Sequence, residues 1–366
     1  MLLLILGLLL LAAAGLRYWL QGADLSAFDN GYPPPIAGSD VNDGMRVATQ
    51  SVMAFTGATK GMKPGRKRIM ALRDALDSIA DDKQLGANFM ASREGEPHGE
   101  WVLTENTDLS RRLLYVHGGG FVAGSPRSHR VITSKLAQLT GMAVFALDYR
   151  LVPEHSRLAG LEDTVNAFAW LTEHNPDGPS ASQFTAIAGD SAGGNLTLAT
   201  AQRLRDTGRK NANALVGICP STDVTLCSPS MRVNQSSDLM LGGALAPLLR
   251  LPRLARLLLL AAIGRRSPAS PVLSPLRGDL SDLPPILLQV SLTEMLLDDA
   301  ARYFHRARAV GAPVTLQTYD NMVHVWHMFA AELPEATVAF EGIADFLSQC
   351  ESEGGQLTVS EKVQDR

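Results

Sequence analysis

The segment Gly189-Asp190-Ser191-Ala192-Gly193-Gly194-Asn195 constrains this chain more than any other. The apolar run Phe184-Thr185-Ala186-Ile187-Ala188 before it reads as a buried strand, and Asn195-Leu196-Thr197-Leu198-Ala199-Thr200-Ala201 after it starts a helix. A strand-to-helix turn this sharp puts the serine in a strained backbone conformation. Glycine at positions 189 and 193 lets the flanking chains pass without collision. The hydroxyl then projects into an open site, and the amides at the helix start face the place where a negative charge would develop on an attacked carbonyl oxygen.

A second glycine motif lies upstream. Arg112-Leu113-Leu114-Tyr115-Val116 reads as a strand that runs into His117-Gly118-Gly119-Gly120-Phe121. Three consecutive glycines leave amide hydrogens unobstructed, so this loop can aim donors at the same developing charge from the opposite side. Gly119 and Gly120 are expected to donate together with Ala192, with Gly118 shaping the loop. A merely flexible turn is the alternative, and the serine motif downstream weighs against it.

The two motifs together resemble the hormone-sensitive lipase-like family of serine esterases. Asp148-Tyr149-Arg150-Leu151-Val152-Pro153-Glu154-His155 and Leu161-Glu162-Asp163, which lie between them, are also similar to that family's pattern. The resemblance runs from about residue 112 to residue 346. It implies an α/β-hydrolase fold and a Ser-acid-His triad, and it makes the stretch around Arg150 a brace beneath the site. Arg150 and Glu154 are accordingly expected to form a buried ion pair.

On that scaffold the order along the chain is serine, acid, histidine. Downstream of Ser191 only His305, His324 and His327 are available. His305 falls in a helical pattern, and His327 is expected to face the core or a cap. His324 follows the strand pattern Val314–Tyr319 and a turn, where a rigid strand presents a loop. The strand Ile286–Val290 ends before three carboxylates, Glu294, Asp298 and Asp299. The resemblance places the acid at Glu294, with Asp298 the rival. Asp298 and Asp299 also suit the start of a helix, where carboxylates cap free amides. The expected chemistry is hydrolysis of a small-molecule acyl ester of short to medium chain through an acyl-enzyme, with no metal and no organic cofactor. An amide or lactone bond would be cut by the same triad, and a scaffold that only binds its ligand is the remaining alternative.

The rest of the chain of 366 residues is consistent with this reading. From about residue 112 strand patterns alternate with helical ones, implying a mainly parallel sheet with helices on both faces. Trp101–Thr104 is expected to add an antiparallel edge strand. The expected layout is residues 1–22 as anchor or signal, 23–99 as lead-in and part of a helical cap, 100–350 as the catalytic domain with a cap insertion at about 224–275, and 351–366 as a polar tail. Within the insertion, Leu245–Leu260 mixes apolar residues with arginines and reads as an amphipathic helix, either closing the acyl pocket or contacting a membrane.

Residues 1–16 carry no charge, and after Arg17 the run continues Tyr18-Trp19-Leu20. About 20 apolar residues span a bilayer, so residues 1–20 are expected to attach the protein to a membrane. Ala12-Ala13-Ala14-Gly15 leaves open a cleaved signal and a secreted or periplasmic product. An apolar leader before such a catalytic region is similar to the membrane-anchored arylacetamide deacetylase branch of the same family. The formal net charge of −4 offers no footprint for nucleic acid. Cys219, Cys227 and Cys350 have no metal-binding spacing and form no even disulfide set.

Overall fold

The computed structural model of the chain describes residues 14–38, 43–81 and 83–353. Its centre is a sheet of strands β1 (Ala37–Gly38), β2 (Asn88–Ala91), β3 (Gly99–Leu103), β4 (Asp108–Val116), β5 (Met142–Leu147), β8 (Phe184–Asp190), β9 (Ala214–Ile218), β10 (Ile286–Ser291) and β11 (Val314–Asp320). A small separate hairpin supplies β6 (His174–Asn175) and β7 (Gly178–Pro179). The spatial order is β1-β11-β10-β9-β8-β4-β5-β3-β2. Every pairing from β1 to β5 is parallel, and β3 and β2 close the far side antiparallel. This is the α/β-hydrolase fold. The antiparallel strand expected around Trp101 is therefore second from the edge, because residues 88–91, too short and mixed to stand out as a strand, pair outside it.

The central strands are apolar without alternation because both faces of the sheet are covered. Along β4, Leu113 and Tyr115 enter one cluster and Leu114 and Val116 the other, as a two-residue period requires. One face packs against helices of residues Arg130–Thr140 and Pro334–Ser352. The other packs against helices of residues Arg157–Leu171, Ala192–Asp206 and Leu297–Ala309.

Two groups of helices lie outside these layers. Asp43–Gly57 sends Met45, Ala48 and Val52 into the cluster that holds Met322, Val323 and Val325, the loop after β11. Ser230–Val233, Leu241–Leu249 and Arg253–Gly264 follow β9, and Met231 and Leu249 pack on Met295 and Leu296 after β10. The amphipathic stretch expected to be one helix over 245–260 is two. Pro252 has no N–H to donate and biases Leu251 away from the helical region, so the chain breaks there and restarts at Arg253.

Candidate active site

The strand order alone brings the two glycine motifs together. The chain lays down β4 and β5 in one direction, then returns to place β8 on the other side of β4, with Val116 opposite Gly189. The loops after β4 and β8 diverge at that switch point, leaving a crevice at the carboxyl ends of the strands. Ser191 sits at its lip with φ 51° and ψ −114°, a conformation rare for a residue with a side chain. Its amide donates to the Ile218 carbonyl at 2.8 Å, and its own carbonyl accepts from Ser221 N and Asn195 N, each at 3.1 Å. A Cβ on Gly193 would lie 1.9 Å from the Val116 carbonyl oxygen, and one on Gly189 would lie 2.6 Å from the Gly193 carbonyl. The strained turn is thus held from both sides, at positions where only glycine fits.

Two loops from neighbouring strands reach the serine. Glu294 lies three residues beyond β10, where its Oε1 accepts the Ser291 amide at 2.8 Å. Its Oε2 is 2.5 Å from Nδ1 of His324, and Nε2 of His324 is 3.0 Å from Oγ of Ser191. With Nδ1–H directed at the carboxylate, Nε2 is left to accept the serine proton. The Ser291 hydroxyl accepts the Met322 amide at 3.1 Å and so ties the acid's loop to the histidine's. Burial pulls the His324 pKa down, but the hydrogen bond and charge of Glu294 outweigh it and leave the pKa above the ordinary 6.5.

The rival carboxylates are occupied elsewhere. Asp298 accepts from Tyr32 Oη at 2.5 Å and Ser230 N at 2.6 Å. Asp299 accepts from Thr222 N at 3.0 Å, Asp223 N at 2.9 Å and Ser228 Oγ at 2.5 Å. The amides they satisfy are at the start of the insertion, not in their own helix as capping had suggested. His305 bonds the Gly31 carbonyl at 3.1 Å, and His327 is buried in the core against Gln289 Oε1 at 2.8 Å.

Opposite the serine turn, Gly119 has φ 110° and Gly120 φ 64°. A Cβ on Gly119 would lie 2.1 Å from the Ala123 carbonyl oxygen. Among the described residues the amides of Gly119, Gly120 and Ala192 have no protein acceptor, whereas the Gly118 amide donates to Asp190 Oδ1 at 2.9 Å. Asp190 was not singled out from the sequence, although it adjoins the serine. Its buried carboxylate also accepts from Tyr115 Oη at 2.7 Å and lies 3.3 Å from Nε2 of His129. Burial pushes its pKa up, and His129 and Tyr115 more than reverse this. His117 stacks on Tyr149 with ring centroids 4.3 Å apart, and burial lowers its pKa to about 3, so it is neutral.

Arg150 and Glu154 do not form the expected buried pair. Both are solvent-facing: Arg150 pairs with Asp163 at 2.7 Å, and Glu154 with Arg73 at 2.8 Å. Each is met by a residue from a helix, Asp163 from Arg157–Leu171 and Arg73 from Arg66–Asp77, far from Glu154 in the chain. The three cysteines are free. Cys219 lies behind the acid, its Sγ, a carboxylate oxygen of Glu294 and a ring nitrogen of His324 all within 4.8 Å of one another. Burial first, then the Glu294 charge, push the Cys219 thiol well above its ordinary range. A protonated thiol and an acid already engaged by the imidazole make a poor donor set for a metal.

A cavity of about 400 Å³ adjoins the histidine loop, lined by the apolar Met45, Leu239, Met322 and Val323 and by polar side chains that include Arg46 and Gln50.

Comparison with known proteins gives the family. A family model described as alpha/beta hydrolase fold matches residues 113–328. The chain is 38% identical over 261 residues to an acetyl-hydrolase of Streptomyces hygroscopicus, covering 71% of this chain and 82% of that protein. It is 34% identical over 278 residues to an esterase of Acinetobacter venetianus, covering 75% and 88%. Among solved structures, an esterase from the bacterial hormone-sensitive lipase family superposes with a TM-score of 0.73 at 31% identity, covering 86% of this chain and all of that one (100%). Fold, family model and relatives converge: the chain belongs to the alpha/beta hydrolase fold family, beside esterases of the hormone-sensitive lipase type.

Proposed function

We propose that this carboxylesterase works through Ser191, His324 and Glu294, on acyl esters of short to medium chain. The observation that carries the reading is the unbroken relay from Glu294 Oε2 to His324 at 2.5 Å and from His324 to Ser191 Oγ at 3.0 Å. His324 Nε2 takes the serine proton as Oγ bonds to the ester carbonyl carbon, and Glu294 stabilises the imidazolium. The negative charge that develops on the carbonyl oxygen is met by the amides of Gly119, Gly120 and Ala192, donors with no protein acceptor to give up. Collapse expels the alcohol, which receives the proton from His324. Water, deprotonated by the same nitrogen, then attacks the acyl-serine and releases the acid.

The cavity beside Met322 and Val323 adjoins the loop that carries His324 and is the candidate place for the substrate's acyl part. The test is hydrolysis of p-nitrophenyl esters from acetate to palmitate by the full chain and its Ser191→Ala variant. Turnover should peak at short or medium chains and fall by at least ~10³-fold in the variant. A variant that keeps most of its activity would remove Ser191 from the mechanism.

For placement in the cell, we propose attachment to a membrane through residues 1–20, on the uncharged run that ends at Arg17, Tyr18 and Trp19. Residues 1–13 lie outside the described residues, and among the described residues no helix is long and apolar enough to cross a membrane. Recovery of the full chain in the soluble fraction after cell lysis would overturn this part of the reading.

A further inference from the structure

The helix Arg253–Gly264 is turned inside out. It buries Arg256 and Leu257, while Leu254, Leu258, Leu259 and Ile263 stand 40% to 63% exposed. Positions 254, 258 and 262 lie one above another on a helix, and 255, 259 and 263 run beside them, so these residues form one continuous outward apolar stripe. A stripe of this kind on the surface of a folded domain marks something that covers it.

The charge around the stripe identifies the partner. From Asp238 to Asp279 the chain has no acidic residue between those two, yet it carries Arg250, Arg253, Arg256, Arg265, Arg266 and Arg277. In a protein whose formal net charge is −4 this is a strong local reversal of sign. Arg250, Arg253, Arg265 and Arg266 are exposed at the two ends of the helix. The tertiary structure then joins to this segment an N-terminal stretch of similar character. The Ser267 hydroxyl donates to the Trp19 carbonyl, and Arg277 Nη1 donates to the Ala23 carbonyl at 3.0 Å. Before Asp24 the N-terminal segment has Arg17 as its sole charged side chain, and its Leu16, Tyr18 and Trp19 are 45% to 68% exposed. Apolar side chains with an aromatic pair and flanking arginines are the composition of a segment that lies in a lipid–water interface.

We propose that the helix Arg253–Gly264 and the segment around Tyr18 and Trp19 form one docking face for an anionic lipid bilayer. The stripe enters the acyl boundary and the arginines meet lipid phosphates. This goes beyond attachment by residues 1–20, since it adds to Tyr18 and Trp19 of that segment a contact formed by the helix Arg253–Gly264 and makes the face selective for anionic lipid.

The experiment is sedimentation of the full chain with vesicles of phosphatidylcholine alone or with about 30% phosphatidylglycerol, at low and high salt. It compares the unaltered chain with Leu258→Asp/Ile263→Asp and with Arg265→Glu/Arg266→Glu. The unaltered chain should bind the anionic vesicles roughly tenfold or more tightly than the neutral ones, and salt should weaken that preference. The arginine variant should lose the preference, and the stripe variant should lose tenfold or more of the anionic binding. Hydrolysis of a soluble short-chain ester, unchanged in both variants, certifies that they fold. Because binding is read without turnover, failure of the esterase mechanism would leave this result standing. Variants that bind as the unaltered chain does would overturn the proposal and leave residues 1–20 as the only membrane contact. So would a stripe variant that converts a dimer to a monomer in ultracentrifugation without changing vesicle binding, since a second copy would then cover the stripe.

Discussion

Oδ1 of Asp190 accepts the amide hydrogen of Gly118 at 2.9 Å. The residue that precedes Ser191 thereby grips the first glycine of the opposite loop, and two motifs 71 to 73 positions apart in the chain are fixed relative to each other by one buried carboxylate. Asn at position 190 keeps an acceptor but introduces an NH₂ group that must face either the Gly118 amide or His129. Asp190→Asn should therefore lower kcat on a small ester by roughly tenfold or more while leaving KM nearly unchanged, because it is the transition-state donors that move. Tyr115→Phe, which removes one of the other donors to the same buried carboxylate, should cost about 1.5–3 kcal/mol of stability in urea unfolding. An Asp190→Asn enzyme with unaltered kcat would separate the carboxylate from the alignment of the loop.

In the proposed mechanism the raised pKa of His324 sets the pH dependence. The imidazole must be neutral to take the serine proton, so the acidic limb of kcat/KM should fall at a pH above 6.5. The sign for stability is the reverse. A histidine whose folded pKa is raised contributes stability that is present below the unfolded value of 6.5 and lost as pH rises through the folded one. Glu294→Gln removes the charge that outweighs burial. The limb should then move below 6.5, and kcat should fall by about 10³- to 10⁴-fold. A limb that stays in place in that variant would show that Glu294 does not set the histidine's pKa.

Three glycines should respond differently to alanine. Gly193→Ala would place a Cβ 1.9 Å from the Val116 carbonyl, and Gly118→Ala one 2.1 Å from Asp190 Oδ2, so both should be inactive and lose several kcal/mol in thermal unfolding. At Gly120 a Cβ meets nothing within 4 Å, and only the left-handed φ of 64° costs, about 1–2 kcal/mol. Melting temperatures of the purified variants check the order.

The thiols should be distinguishable by a water-soluble disulfide reagent. Cys219 and Cys350 are buried, and burial raises both pKa values, that of Cys350 to about 12. In the folded protein the reagent should label Cys227 alone and leave esterase activity intact, with Cys219 and Cys350 reacting only after denaturation. Rapid labelling of Cys219 with loss of activity would mean that the space behind Glu294 opens in solution.

The local features were determined by the sequence itself, for a physical reason: a strand that must turn into a helix around an exposed serine has few solutions, and those solutions require glycine at 189 and 193. The alternation of apolar runs with helical patterns likewise implies a parallel sheet covered on both faces, because such runs can be buried only in that way. Side-chain pairings between distant segments belong to a different kind of information. Arg150 met Asp163 instead of Glu154, and Glu154 met Arg73, because an exposed charge pairs with whatever its neighbours in space present. Asp298 and Asp299 turned from their own helix to the start of the insertion, and Asp190 reached a loop on another strand. The contact of Trp19 with Ser267 spans 248 positions and follows no sequence period. Periodicity and turn chemistry act within a few residues, so they are legible in the chain. Which carboxylate stands beside which histidine or amide depends on strand order and loop packing, and only the tertiary structure decided it.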